Sequence, residues 1–321
     1  MSSPWGPGGR ARGGLEPGGP SDTPEPAERR PPRPEAHAGT FYPAAPDQLS
    51  SEVRMLIDQA ELAQVRAAPS PGRPIGLLVP HAALHFSGRV AVQGWRQLRE
   101  LDPATVVIAG TNHFAAWFTG VGVWAGGAWQ TPLGPRPVDD ELTAAIEGLG
   151  RPFVPAIDPH LDEHSIEVQL PLLAVLAPRS RIVPLLVSLP DPAACREAGR
   201  RLGLLLRDRL AVGERVVLVA SSDLAHYPTE SRAHEVDHQV LEPILALDPW
   251  RLAHRELELR RSGIRGLACG LCGFEPVLFT LSAVREMGAR RGILLAHGTS
   301  ADVPGGDPGR VVGYAAVVFV A

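Results

Sequence analysis

The chain has 321 residues, 31 basic against 35 acidic side chains, a formal net charge of -4 and three cysteines. No apolar run reaches the ~18 residues that a membrane helix needs. The N-terminus lacks a basic-then-apolar secretory signal, and three cysteines do not make a disulfide scaffold. A cytoplasmic protein is therefore expected, and the near-neutral charge argues against a nucleic-acid binder. Every basic residue is Arg, which removes Schiff-base, P-loop-lysine and kinase-lysine chemistry.

Residues 1–36 are rich in Gly and Pro, poor in large apolar residues, and carry five Arg against five acids. Such a stretch buries too little surface to offset its ordering entropy, so a disordered tail is expected. Its RRPPRP run at 29–34 also offers an extended partner-docking segment. Residues 37–321 read as one domain.

Strands are predicted at 75–80, 104–110 and 120–126, with a helix from Ser87 to Glu100 between the first two. A helix at 138–148 follows, with Asp139 and Asp140 in its first turn. A second helix is predicted over 163–177 despite Pro171, with Asp162 as N-cap and Glu163 at the positive end of its dipole. Next come a strand at 181–188, a helix at 192–209 and a strand at 215–222. Helices at 230–247, 249–261 and 275–290, then strands at 292–298 and 311–320, complete the chain. The alternation predicts an α/β fold: a mixed, mostly parallel sheet with helices on both faces.

The histidines carry the chemical signal. His81 follows the strand 75–80, His113 follows 104–110, and Asp223 with His226 follow 215–222 in SSDLAH. Ligands of open α/β sheets bind beyond the carboxyl ends of the strands, so these residues converge on one edge. Cys272 lies just before the helix that holds Pro276, where a thiol is expected to have a lowered pKa. Two imidazoles and a thiolate suit Fe, Zn or Cu. His164 could line the site or orient a ligand. Two rival motifs compete: C-G-L-C at 269–272 as a redox dithiol, and H-E-V-D-H at 234–238 as a metalloprotease helix. The first comes late in a large domain, and the second sits on what reads as an exposed amphipathic helix. Cys195 reads as core.

AGTFYP at 38–43, VPHAALHFSG at 79–88, GTNH at 110–113, TPLG at 131–134, DEHSIEVQLP at 162–171, SSDLAH at 221–226 and CGFEPV at 272–277 together resemble the Memo family. Its prokaryotic branch is the AmmeMemoRadiSam system protein B. The resemblance implies a fold similar to LigB-type class III extradiol dioxygenases. It also implies one mononuclear metal, iron first with copper or zinc as alternatives, on His81, His113 and Cys272. Asp223 would then be a supporting carboxylate or alternative ligand, and His226 an acid/base or proton relay, with His164 beside them. The implied role is redox or oxygen-linked; a non-catalytic adaptor binding a peptide or protein is the second reading, and ring cleavage of a catechol a weaker third. An AMMECR1-type protein and a radical SAM enzyme are the implied partners. The chain departs from the family's PHAGY: it has PHAAL at 80–84, and His85 follows. Cys269 competes with Cys272 for the ligand position.

Overall fold

The computed structural model describes residues 32–64 and 72–321. Residues 1–31, most of the tail expected from composition, lie outside the described residues. Helix α1 spans Pro46–Gln64, strand β1 Pro74–Val79, α2 Leu84–Trp95, β2 Thr105–Thr111 and β3 Gly120–Val123. A two-stranded ribbon, β4 Ala128–Trp129 and β5 Arg136–Pro137, precedes α3 Asp140–Glu147, β6 Phe153–Pro155, α4 Asp158–Leu161 and α5 Leu170–Leu176. Then come β7 Arg181–Ser188, α6 Pro192–Ala211, β8 Val216–Ser221, α7 Glu230–Leu245, α8 Pro249–Arg261 and α9 Phe274–Glu286. Strands β9 Arg291–Thr299 and β10 Gly313–Val320 close the fold.

Eight strands form one sheet in the order β6-β3-β7-β2-β8-β1-β10-β9. The central four, β7-β2-β8-β1, are parallel. The chain-terminal pair β10 and β9 runs antiparallel to its neighbours, and β3 runs antiparallel to β7. The expected mixed, mostly parallel sheet is thus observed. Along β2, Val107 and Ala109 pack into one apolar core with residues of α6, α7, α8 and α9. The alternate residues Val106 and Ile108 pack into a second core with α1, α2 and α5. Both faces are covered, which is why the strand sequences are apolar at nearly every position rather than alternating.

Helices α6 and α9 approach closely. A Cβ at Gly199 or Gly203 would run into the α9 backbone at Phe279 or Ala283. Gly199→Ala and Gly203→Ala should therefore each destabilise the fold by about 1–3 kcal/mol through overpacking. The check is a lowered urea midpoint at unchanged m-value.

Three expectations need correction. Only a 3-10 turn at Glu167–Gln169 and then α5 occupy the stretch read as one helix over 163–177. Asp162 does not cap it; Asp162 ends the preceding helix α4. The folded unit also reaches into the stretch assigned to the tail, because Arg33 is buried and bridges to Trp129. Averaging composition over 36 residues hides one buried Arg. It also removes Arg33 from any docking role for RRPPRP.

Candidate metal centre

Strands β2, β8 and β1 are adjacent and parallel, so the residues after them emerge side by side. His113, the Asp223–His226 turn and His81 meet there. Cys272 arrives from the loop before α9, and Glu163 and His164 from the turn after α4. Among the described residues, three overlapping groups bring possible ligand atoms within 4.8 Å of one another: His81, His113 and Cys272; His113, Glu163 and His164; Asp223, His226 and Cys272.

Hydrogen bonds fix the ring of His81. The Trp95 indole, which can only donate, points to Gln169 Oε1 at 2.8 Å. Gln169 Nε2 must then donate, and it does so to Pro80 O and Ser221 Oγ, both at 2.9 Å. The Ser221 hydroxyl spends its one proton on Ser165 O at 2.6 Å. Ser221 Oγ can therefore only accept from His81 Nδ1, 3.1 Å away. Nδ1 carries the proton, and the Nε2 lone pair faces Cys272 Sγ at 3.2 Å. Burial holds the His81 pKa down to about 4, so the ring is neutral.

His113 is oriented by Glu163. The carboxylate accepts the His113 backbone N–H at 2.8 Å, its Nδ1–H at 2.9 Å and the Ser165 N–H at 2.8 Å. Burial raises the Glu163 pKa, but the hydrogen bonds and the neighbouring imidazoles win and hold it near 2. An ionised carboxylate on Nδ1 leaves Nε2 as the nitrogen with a free lone pair, the arrangement common among metal-bound histidines. In sequence Glu163 suits the positive end of a helix dipole, and its place beside a histidine is the only hint of this role.

His164 stacks on His113 at 4.5 Å, and its buried Nδ1 lies 3.4 Å from Glu163 Oε1 without a hydrogen-bond partner among the described residues. Burial, then the nearby His81, brings its pKa to about 3. Asp223 Oδ1 accepts the backbone N–H groups of His81 at 2.8 Å and Ala82 at 3.2 Å. Burial opposes its ionisation, but His81 and His226 hold its pKa near 2. His226 Nε2 lies 3.8 Å from Asp223 Oδ2, an electrostatic contact rather than a hydrogen bond, and is buried without a hydrogen-bond partner among the described residues.

Cys272 corrects a chemical expectation. Its thiol pKa is raised, not lowered: burial comes first, then Asp223 and Cys269. A cation in the pocket would reverse the balance, since coordination deprotonates a thiol outright. The donors fit a metal: two imidazoles oriented through their Nδ1 atoms, a thiol, and ionised Asp223 and Glu163 nearby. Two orphaned ring nitrogens point the same way.

The buried histidines predict acid sensitivity. His160 is also held down by burial, to about 3, under Trp124 and Trp129. In the unfolded chain these rings titrate near 6.5. Between the folded and unfolded values the unfolded chain binds more protons. The stabilisation from His81, His160 and His164 is complete above pH about 6.5 and drains as pH falls through about 4 and 3. Metal-free protein should thus show denaturation midpoints that fall steadily from pH about 7 to about 5. A flat profile over that window would contradict neutral buried rings.

Comparison with known sequences decides the family. The family model described as Memo-like protein matches residues 33–318. The chain belongs to the Memo family. A MEMO1 family protein of Methanopyrus kandleri is 36% identical over 290 residues, covering 88% of this chain and 97% of its own length. One of Methanocaldococcus jannaschii is 35% identical over 299 residues, with the same two coverages of 88% and 97%. One of Nitrosopumilus maritimus is 29% identical over 291 residues, 88% of this chain and 98% of its own.

Within this Memo chain the departures at PHAAL resolve. Leu84 is buried in the core, and His85 is exposed and lines a separate cavity with Phe41 and Glu52. Of the two thiols in C-G-L-C, Cys272 joins the ligand groups found among the described residues; Cys269 does not. Burial, then Glu256, pushes the Cys269 thiol up to about 12. In H-E-V-D-H, both histidines are exposed on α7, while Asp237 turns inward to Ala225 N and His297 Nε2. His160 is buried on Gly122 O, away from the ligand groups. Cys195 is core, as expected. Among the described residues no helix is long and apolar enough to cross a membrane.

Proposed function

We propose that this Memo protein holds one non-haem metal ion on His81, His113 and Cys272 and serves a redox or oxygen-linked role in the AmmeMemoRadiSam system. The observation that carries the reading is that His81 Nε2 meets the Cys272 thiol at 3.2 Å while His113, oriented through Nδ1 by Glu163, brings a ligand nitrogen within 4.8 Å of both. Iron suits a His/His/anion set with open positions; a thiolate also suits copper and zinc. When bound, the metal would supply Lewis acidity and, if iron or copper, one-electron chemistry. Asp223 holds the His81 and Ala82 backbone and keeps a negative charge beside the thiol. His226 presents Nε2 beside Asp223 Oδ2, placed to take or give a proton at the pocket. His164 closes the wall against His113. A thiolate in the third position departs from the two-histidine, one-carboxylate triad, so ring cleavage does not follow from the fold.

The test is metal analysis of protein purified anaerobically, against His81→Ala, His113→Ala and Cys272→Ser. About one metal per chain in the wild type and loss in each variant is the expected result. Undiminished metal in all three would overturn the assignment.

One observation favours a second reading, an interaction protein. Phe114 is 56% exposed and Trp117 69% exposed on the loop after β2 that carries His113. Exposed aromatics beside a pocket suit a peptide or protein partner, of which the AMMECR1-type and radical SAM proteins are the candidates. Phe114→Ala with Trp117→Ala should then weaken binding to those two purified proteins while leaving metal content unchanged. Unaltered binding, or none by the wild type, would remove this reading.

A further inference from the structure

We propose that Arg33 and Glu167 are a positioning pair for the metal pocket: they hold the turn that presents Glu163 and His164, and they lay segment 33–42 along its rim. The inference rests on the metal reading above for its consequence, but its geometry stands apart from it.

Arg33 lies far from Glu163 in sequence and has a fully buried side chain. Its Nε donates to His160 O at 2.8 Å, and its Nη2 to Leu161 O at 3.0 Å and Glu163 O at 2.9 Å. These carbonyls belong to the end of α4 and the turn after it; that of His160 also accepts the Glu163 backbone N–H at 3.3 Å. The planar fork reaches all three at once, with the Trp129 ring 4.1 Å beneath it. One of the three carbonyls is that of Glu163, whose carboxylate sets the His113 tautomer.

Glu167 completes the clamp. Its Oε2 takes Arg33 Nη1 at 2.6 Å, and its Oε1 takes the Tyr42 hydroxyl at 2.6 Å and the His37 N–H at 2.8 Å. Both ends of segment 33–42 therefore end on one carboxylate. Between them, His37 Nε2 sits 2.9 Å from Asp162 O, and the Phe41 ring lies 4.6 Å from the His164 ring. The segment is the outer wall of the pocket. A buried ion pair gives little net stability against an apolar replacement, and its better-attested use is to specify one conformation. Here the conformation specified is that of the Glu163–His164 turn.

The test uses full-length Arg33→Lys and Glu167→Gln. Lysine keeps the cation but cannot span three carbonyls. Thermal melting and circular dichroism first establish which variants fold; should Glu167→Gln not fold, Arg33→Lys carries the test, and the double variant Arg33→Gln with Glu167→Gln, which removes both charges, replaces it. The primary readout is the His113 ring in metal-free protein, by nitrogen-15 correlation spectra. The wild type should show the Nδ1–H form, and the variants a mixture of tautomers, a change that a merely structural role would not produce. The second readout is titration with Co²⁺ alone: affinity should fall about 10–100-fold, as for lost supporting partners of metal ligands, with a changed ligand-field spectrum. Folded variants with wild-type His113 tautomer and wild-type Co²⁺ affinity would overturn the proposal. A wild type that takes up no Co²⁺ would count against the metal reading instead, and the His113 tautomer would still decide the positioning role.

Discussion

Cys272→Ser should cost this protein more than 100-fold in affinity for Cu⁺ and Zn²⁺, exceeding the roughly 10–100-fold that a lost supporting partner costs. The substitution is nearly isosteric, and a serine hydroxyl can still donate to His81 Nε2, so the fold should survive. What disappears is the anion. A serine hydroxyl does not ionise as a thiol does under a cation, and soft ions depend on sulfur. The loss should be smaller for Mn²⁺, which draws little from thiolate. Cys269→Ser is the internal control, since that thiol stands outside the ligand groups. Competition against a chromophoric chelator measures both variants. Equal losses for Cys269→Ser and Cys272→Ser would show that the wrong sulfur has been assigned.

Glu163→Gln should weaken metal binding about 10–100-fold and lower stability by about 1–3 kcal/mol. The carboxylate accepts from three donors: His113 N–H, His113 Nδ1–H and Ser165 N–H. An amide has only one acceptor atom. If its oxygen faces Nδ1 and Ser165, its NH₂ opposes the His113 backbone N–H. If it is turned round, its NH₂ faces Nδ1 and drives His113 to the other tautomer. Either way a donor meets a donor in a buried place, or the lone pair leaves Nε2. Chelator competition and urea denaturation read the two effects separately. Wild-type affinity in Glu163→Gln would mean that His113 is not held by this carboxylate when metal binds.

Much of this centre was legible because each key residue follows a strand run. The apolar runs before His81, His113 and Asp223 are continuous, as buried parallel strands require, and adjacency of β1, β8 and β2 then brings their ends together. Cys272 was marked by the helix it precedes. The supporting residues were not legible in the same way. Glu163 sits where an acid equally suits a helix start, and only its contact with His113 shows otherwise. Ser221 and Gln169 set the His81 ring through a chain of bonds that runs across the sheet edge, far apart in sequence. Arg33 lies in a Pro-rich run whose average composition reads as solvated, and its burial depends on Glu167 and Trp129, more than 90 residues away. The expected direction of the Cys272 pKa failed for a related reason. Helix position is visible in sequence, whereas desolvation of the thiol beside Asp223 is not.

Anomalous scattering at the Fe, Cu and Zn edges, from crystals of anaerobically purified protein, decides whether His81, His113 and Cys272 share one metal ion. One peak per chain is expected, within about 2.0–2.3 Å of His81 Nε2, His113 Nε2 and Cys272 Sγ. A chain with no peak, or a metal that leaves Cys272 Sγ uncoordinated, would contradict that assignment.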